Sequence, residues 1–159
     1  MTTDLPQVPA GPAYGLQLCV DCARPHELAD RWAEALRWEI ETQDEDFIRR
    51  MVAEGHASDA ETNTHRGRLV WASGAAINPP VNAEGAGDRP RILFQAVPES
   101  KSVKNRVHWD LREPGADDER RAGELLRLVD LGATQVGTGR QGPWTWTILQ
   151  DPEGNEFCL

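Results

Sequence analysis

Apolar and polar residues alternate from Leu16 to Cys22 (LQLCVDC), which predicts a strand with Leu16, Leu18 and Val20 on one face and Gln17, Cys19 and Asp21 on the other. Pro25 follows, suited to a first helical turn where a missing N–H costs nothing. Leu28, Trp32 and Leu36 then recur at fours with Ala29, Ala33 and Ala35 between them, a single apolar stripe that suits a helix lying on a sheet. Alternation returns through Trp38 and Ile40 and predicts a second strand over 37–42. Residues 44–57 open with acids and gather Phe47, Ile48, Met51 and Val52 on one side, the mark of an inserted helix ending near Gly55. Its narrow apolar face suits a pocket cover, a subunit contact or a plain surface helix, and a polar loop is expected to follow through Arg66.

Residues 68–77 (RLVWASGAAI) predict a third strand bent at Gly74, and the proline- and glycine-bearing stretch 78–90 predicts a loop. A fourth strand spans 91–97, with Leu93, Gln95 and Val97 on one face, and Pro98 stops it. After a polar connector, residues 106–112 alternate again, with Val107, Trp109 and Leu111 on one face and His108, Asp110 and Arg112 on the other. A helix follows, with acids at its start, Gly132 at its end and Ala122, Leu125, Leu126 and Val129 expected inward. Short strands are expected near 133–137 and over 144–150, with GTGRQG between them reading as a hairpin-like turn. Asp151–Asn155 is a tight turn by composition, and 156–159 closes as a strand.

Each half therefore reads β-α-β-β-β. LCVD echoes HWDL before the helix, and ALRWEIE echoes DLGATQV after it. The expected fold class is α+β: paired βαβββ modules forming a curved, cup-shaped mixed sheet with helices outside. Module one spans 15–97 with the insertion at 44–66, module two spans 103–159, and together they make one domain over 15–159 behind a flexible arm at 1–14. Sheets of this kind leave exposed edges, so a homodimer is expected.

Length and charge narrow the function. The chain has 159 residues, enough for one domain with a buried core. A net charge of −9 argues against nucleic acid and against an anionic membrane, since both call for a basic surface. No apolar run approaches the roughly 18 residues that span a bilayer, and the first residues lack the pattern of a secretory signal, so a cytoplasmic location is expected. Cys19 and Cys22 form a C-x-x-C pair, but on a strand they point to opposite faces. With Cys158 they read as buried free thiols. The sequence holds no glycine-rich phosphate loop, nucleophile elbow or plausible Ser/His/Asp arrangement.

VKNRVHWDLR, LGAT and DPEGNEFCL together resemble the glyoxalase-like branch of the vicinal oxygen chelate superfamily, which includes glyoxalase, bleomycin resistance and dioxygenase proteins. LQLCVDCARPHELADRWAEALRWEIE is similar to the family's opening strand and helix, and PRILFQAVPESKSVKNR to its fourth strand and connector. The resemblance implies a cavity that in the enzymes holds one divalent metal, with ligands from the first and last strands of both modules. Those positions fall on Gln17, Gln95, His108 and Cys158. Two neutral amides and one imidazole are poor ligands for a hard divalent ion, which prefers carboxylates, whereas histidine with thiolate suits zinc. The expected metal site is accordingly degenerate.

His108 is a candidate catalytic group with Glu156 as its carboxylate partner, since two titratable groups in an apolar cup shift each other's pKa. A hydrogen-bonded core histidine and a solvated strand-end carboxylate are the structural alternatives. Trp71, Trp109, Trp144 and Trp146 lie on strands and are expected to line a pocket for a planar or apolar small molecule, while Trp32 and Trp38 build the core. The expected function is small-molecule binding with a degenerate metal site and metal-free acid/base chemistry. The alternative is a divalent-metal-dependent lyase, isomerase or dioxygenase.

Overall fold

The computed structural model describes residues 15–81 and 90–159. The expected arm at 1–14 and most of the loop at 78–90 lie outside the described residues. The first half contributes strand β1 (Gln17–Cys22), helix α1 (Pro25–Leu36) and strand β2 (Glu39–Ile40). It continues with helix α2 (Glu45–Ala53) and strands β3 (Thr62–His65), β4 (Arg68–Trp71), β5 (Gly74–Asn78) and β6 (Arg91–Ala96). The second half contributes β7 (Trp109–Asp110), α3 (Asp118–Asp130), β8 (Thr134–Gln141), β9 (Trp144–Gln150) and β10 (Glu156–Cys158).

Two four-stranded sheets repeat one topology. The first runs β1-β6-β5-β2 and the second β7-β10-β9-β8. In each, the first strand of the module pairs in parallel with the last, and the remaining pairs are antiparallel. This is the α+β arrangement of paired βαβββ modules expected from the sequence.

The apolar stripe of α1 buries Leu28, Ala29, Trp32, Ala33 and Ala35. They meet Ala75, Ile77, Ile92 and Phe94 of the first sheet and Leu128, Leu149 and Phe157 of the second half in one hydrophobic cluster. Trp32 sits at the junction. Its ring packs edge-on against Trp109, with centroids 4.4 Å apart, and against Phe157 at 5.0 Å. Its indole N–H donates to Asp151. Glu153 accepts the backbone N–H groups of Ala23 and Arg24, at 2.6 and 2.9 Å, just before α1 begins. The 151–155 turn thus holds the backbone that leads into α1, although no side chain caps the first helical turn itself.

Several elements differ from the sequence reading. The expected strand 68–77 divides at Ala72–Ser73: β4 turns away to pair with β3, and only β5 joins the main sheet. The expected polar loop before Arg66 holds β3, whose partner strand supplies the ladder that polar residues alone do not signal. Beneath this hairpin α2 is capped by Asp44 and buries Ile48 completely. Histidines tie the hairpin to α1: His26 lies 2.8 Å from the Trp71 carbonyl and His65 lies 2.8 Å from Asp30.

The inward stripe of α3 is also shifted. Leu128 is its buried residue, with Leu125 and Leu131 packed beside it, whereas Leu126 is 67% exposed. Leucines stand on more than one side of this helix, and Arg127 fixes the rotation by donating to the carbonyls of Glu34 and Ala35 at the end of α1. Strand β8 absorbs most of GTGRQG, leaving Gly142–Pro143 as a two-residue turn into β9. The strand expected over 106–112 shrinks to Trp109–Asp110, so His108 directly precedes it.

Candidate functional site

A cavity of about 780 Å³ opens where the edge strand of the first sheet, β1, faces the start of β7. Leu18, Val20, Trp32 and Trp109 give it an apolar wall, and Asp21 and His108 supply polar groups. Its remaining side is the connector between the halves, which lines it without a break from Glu99 to Trp109.

His108 is half-exposed on this cavity, and its Nε2 lies 3.6 Å from Asp110. Asp110 stands opposite Cys158 in the parallel β7–β10 ladder, so both side chains share the face that His108 overlooks. One nitrogen, one carboxylate oxygen and one sulfur from His108, Asp110 and Cys158 all lie within 4.8 Å of one another. Burial is the main cause that raises the Cys158 thiol pKa, with the Asp110 carboxylate adding to it. Asp110 is also within 3.3 Å of the Arg112 guanidinium. A metal bound here would displace a thiol proton and loosen that ion pair. The donor set fits a borderline ion such as Zn²⁺, which accepts N, O and S ligands, better than a hard ion.

Glu156 lies on the same face of β10 as Cys158 and also lines the cavity. Its carboxylate accepts from Lys101 Nζ at 2.9 Å and from the backbone N–H of Asn105 at 3.0 Å. The Asn105 N–H first, and Lys101 next, hold its pKa down at about 2. The carboxylate beside His108 is Asp110, and Glu156 serves the connector.

The other expected residues are dispersed. Gln17 stands level with Arg91 in the β1–β6 ladder and Gln95 level with Asp21, so the glutamines are four residues apart along it, roughly 13 Å at strand spacing. Gln17 accepts from Arg91 Nη1. Neither glutamine is among the residues lining the cavity that His108 overlooks. Of the four tryptophans expected in a pocket, Trp109 lines this cavity and is joined by Trp32. Trp144 is 73% exposed, and Trp71 binds the inserted hairpin through its backbone to His26 and Gln43. Trp146 covers Gly139, where an added Cβ would lie only 2.1 Å from its ring. Asp110, not among the expected site residues, carried one available signal: it shares His108's alternation face.

Duplicated βαβββ modules with a cavity at their junction define a protein of the vicinal oxygen chelate class. The chain matches the glyoxalase-like domain family over residues 17–159, and it belongs to that family. Three solved structures share the fold. A hypothetical protein, SA1046 from S. aureus, is 11% identical with a TM-score of 0.54, and the match covers 93% of each chain. A glyoxalase/bleomycin resistance protein/dioxygenase family enzyme from Burkholderia phytofirmans is 12% identical, TM-score 0.52, with 89% of this chain and 93% of that one covered. The fosfomycin resistance protein FosX from Mesorhizobium loti is 14% identical, TM-score 0.50, covering 93% and 91%. No curated protein matches the chain. Among the described residues, no helix is long and apolar enough to cross a membrane.

Proposed function

We propose that this chain binds a small organic molecule in the cavity between its two modules, with His108 as the proton-handling group at the rim. The cavity itself carries this reading: about 780 Å³ falls in the range of small-molecule sites, and an apolar wall faces a connector rich in polar and charged groups that can orient a ligand. Asp110 lies 3.6 Å from His108 Nε2, so an imidazole and a carboxylate stand together at the rim, a pairing suited to proton transfer without a metal. A planar carbonyl or aromatic compound suits the tryptophan wall.

The grouping of His108, Asp110 and Cys158 favours a second reading, a metal-dependent lyase, isomerase or dioxygenase. Three ligands would leave coordination positions for substrate oxygens, and the ion would act there as a Lewis acid.

Thermal-shift screening with planar carbonyl and aromatic compounds tests the first reading. A compound that raises Tm in the native chain and fails to do so in Asp21→Trp, which fills the cavity from an exposed position, supports it. Stabilisation that survives Asp21→Trp places the ligand elsewhere and overturns it. Zinc retained at one equivalent after dialysis, and lost in both His108→Ala and Cys158→Ala, favours the second.

A further inference from the structure

The cavity's outer wall is attached to the rest of the molecule almost entirely through one side chain. Backbone hydrogen bonds hold the connector's two ends, from Val97 N–H to the Cys22 carbonyl and from Leu111 N–H to the Cys158 carbonyl. Between Val97 and Trp109, every hydrogen bond to other described parts of the chain goes to Asn155 or Glu156, and the one further ion pair joins His108 to the nearby Asp110 at 3.6 Å. Glu156 divides its carboxylate, Oε1 to Lys101 Nζ at 2.9 Å and Oε2 to the Asn105 N–H at 3.0 Å. Asn155 adds one contact, accepting from the Asn105 side-chain amide at 3.0 Å.

Apolar packing offers little alternative hold. Val103 and Val107 are each 75% exposed, and no helix or strand forms within 97–108. In the Lys101–Glu156 pair the side chains are 19% and 12% exposed, so the bond is partly shielded from water.

We infer that Glu156 is a positioning residue that latches the 99–108 connector against the cavity, so that releasing this carboxylate opens the cavity wall. Its role is then exerted through Lys101 and Asn105 and not by contact with a reacting atom. The consequence for ligand exchange rests on the cavity reading above, but the latch itself is testable in the ligand-free chain.

The connector carries its own reporter, because trypsin cuts after Lys101, Lys104 and Arg106, while Arg49 and Arg50 on α2 report on the rest of the fold. Limited trypsinolysis of the full chain, with each cut followed by mass spectrometry, compares the native protein with Glu156→Gln and Lys101→Met. Losing a sheltered charged hydrogen bond should raise cutting after Lys104 and Arg106 roughly tenfold in Glu156→Gln, with cutting after Arg49 and Arg50 unchanged. Lys101→Met, which removes one arm of the latch outside the core, should give a smaller rise at the same sites. Acrylamide quenching of tryptophan should increase in Glu156→Gln, and the increase should vanish when Trp109→Phe is added.

Unchanged connector cutting in both variants overturns the latch. Equal acceleration at α2 and the connector also overturns it, because that is general loosening. Should Glu156→Gln not fold, Lys101→Met alone decides by the same criteria. Failure to find a small-molecule ligand would leave these outcomes untouched, so the two proposals fail separately.

Discussion

Trp32 donates its indole N–H to Asp151 Oδ2 at 3.1 Å, joining the first helix to the turn before the last strand in a buried hydrogen bond. The other oxygen of Asp151 accepts the backbone N–H groups of Glu153 and Asn155, both at 2.9 Å. One buried carboxylate therefore shapes the turn and anchors the core tryptophan. Asp151→Ala should lower stability by about 3 kcal/mol, because it strands several donors at once. Trp32→Phe should cost less, since much of the packing on Trp109 and Phe157 remains. Urea unfolding of the three proteins checks the order.

Arg127 should resist conservative replacement. Its guanidinium holds Glu124 and also donates to the carbonyls of Glu34 and Ala35, tying α3 to the end of α1. A lysine ammonium cannot reproduce that planar fork. Arg127→Lys and Arg127→Met should each lose about 1–2 kcal/mol, discounted for partial exposure, and lysine should rescue little. Equal stability of Arg127→Lys and the native chain in chemical denaturation would contradict this.

The cysteines should separate by reactivity. Cys22 is buried, and burial first, then the Glu153 and Asp151 carboxylates, push its thiol up to about 12. Cys19 is exposed, against the buried thiol expected from the sequence, so iodoacetamide at neutral pH should label it and leave Cys22 untouched until the chain unfolds. The raised pKa also fixes a sign. The folded chain keeps a proton that the unfolded chain releases, so this contribution is fully present below about pH 9 and is lost as pH rises towards 12. The alkaline fall in Tm should be shallower in Cys22→Ala.

Gly139 should tolerate no side chain without moving Trp146. A Cβ there would lie 2.1 Å from Cε2 and 2.2 Å from Nε1 of the indole. Gly139→Ala should displace the ring, giving a changed near-ultraviolet circular dichroism spectrum and a loss of about 1–3 kcal/mol. An unchanged tryptophan signal would show that the ring does not rest there.

Most of the fold was legible because its signals are periodic. The four-residue spacing of Leu28, Trp32 and Leu36 gave α1, and the clean alternation of 144–150 gave β9. The elements that diverged are those where partners decide. RLVWASGAAI is apolar enough for one strand, yet the hairpin offered by Thr62–His65 takes its first part. On α3, leucines on more than one side left the inward face open until Arg127 found the α1 carbonyls. The seam strand expected over 106–112 is cut short because only Trp109 and Asp110 find ladder partners in β10, while the connector before it is held by Glu156.

The candidate site was legible in part for a related reason. His108 and Cys158 were found from a strand and a tail motif, and the β7–β10 ladder brings their neighbours together. Gln17 and Gln95 were placed by analogy of position, but register along β1 and β6 separates them. Glu156 read as a chemical group because no pattern in the sequence announces that a lysine and a backbone N–H 55 and 51 residues earlier occupy both its oxygens.

The turn carrying Asp151 and Glu153 completes a helix that begins at Pro25. Helix α1 can form early, but the carboxylate that holds its indole and the one that holds its entry lie 119 and 130 residues further along the chain. The amino-terminal module should therefore stay loosely packed until the 151–153 turn docks on it, which makes its consolidation a late step set by long-range contacts.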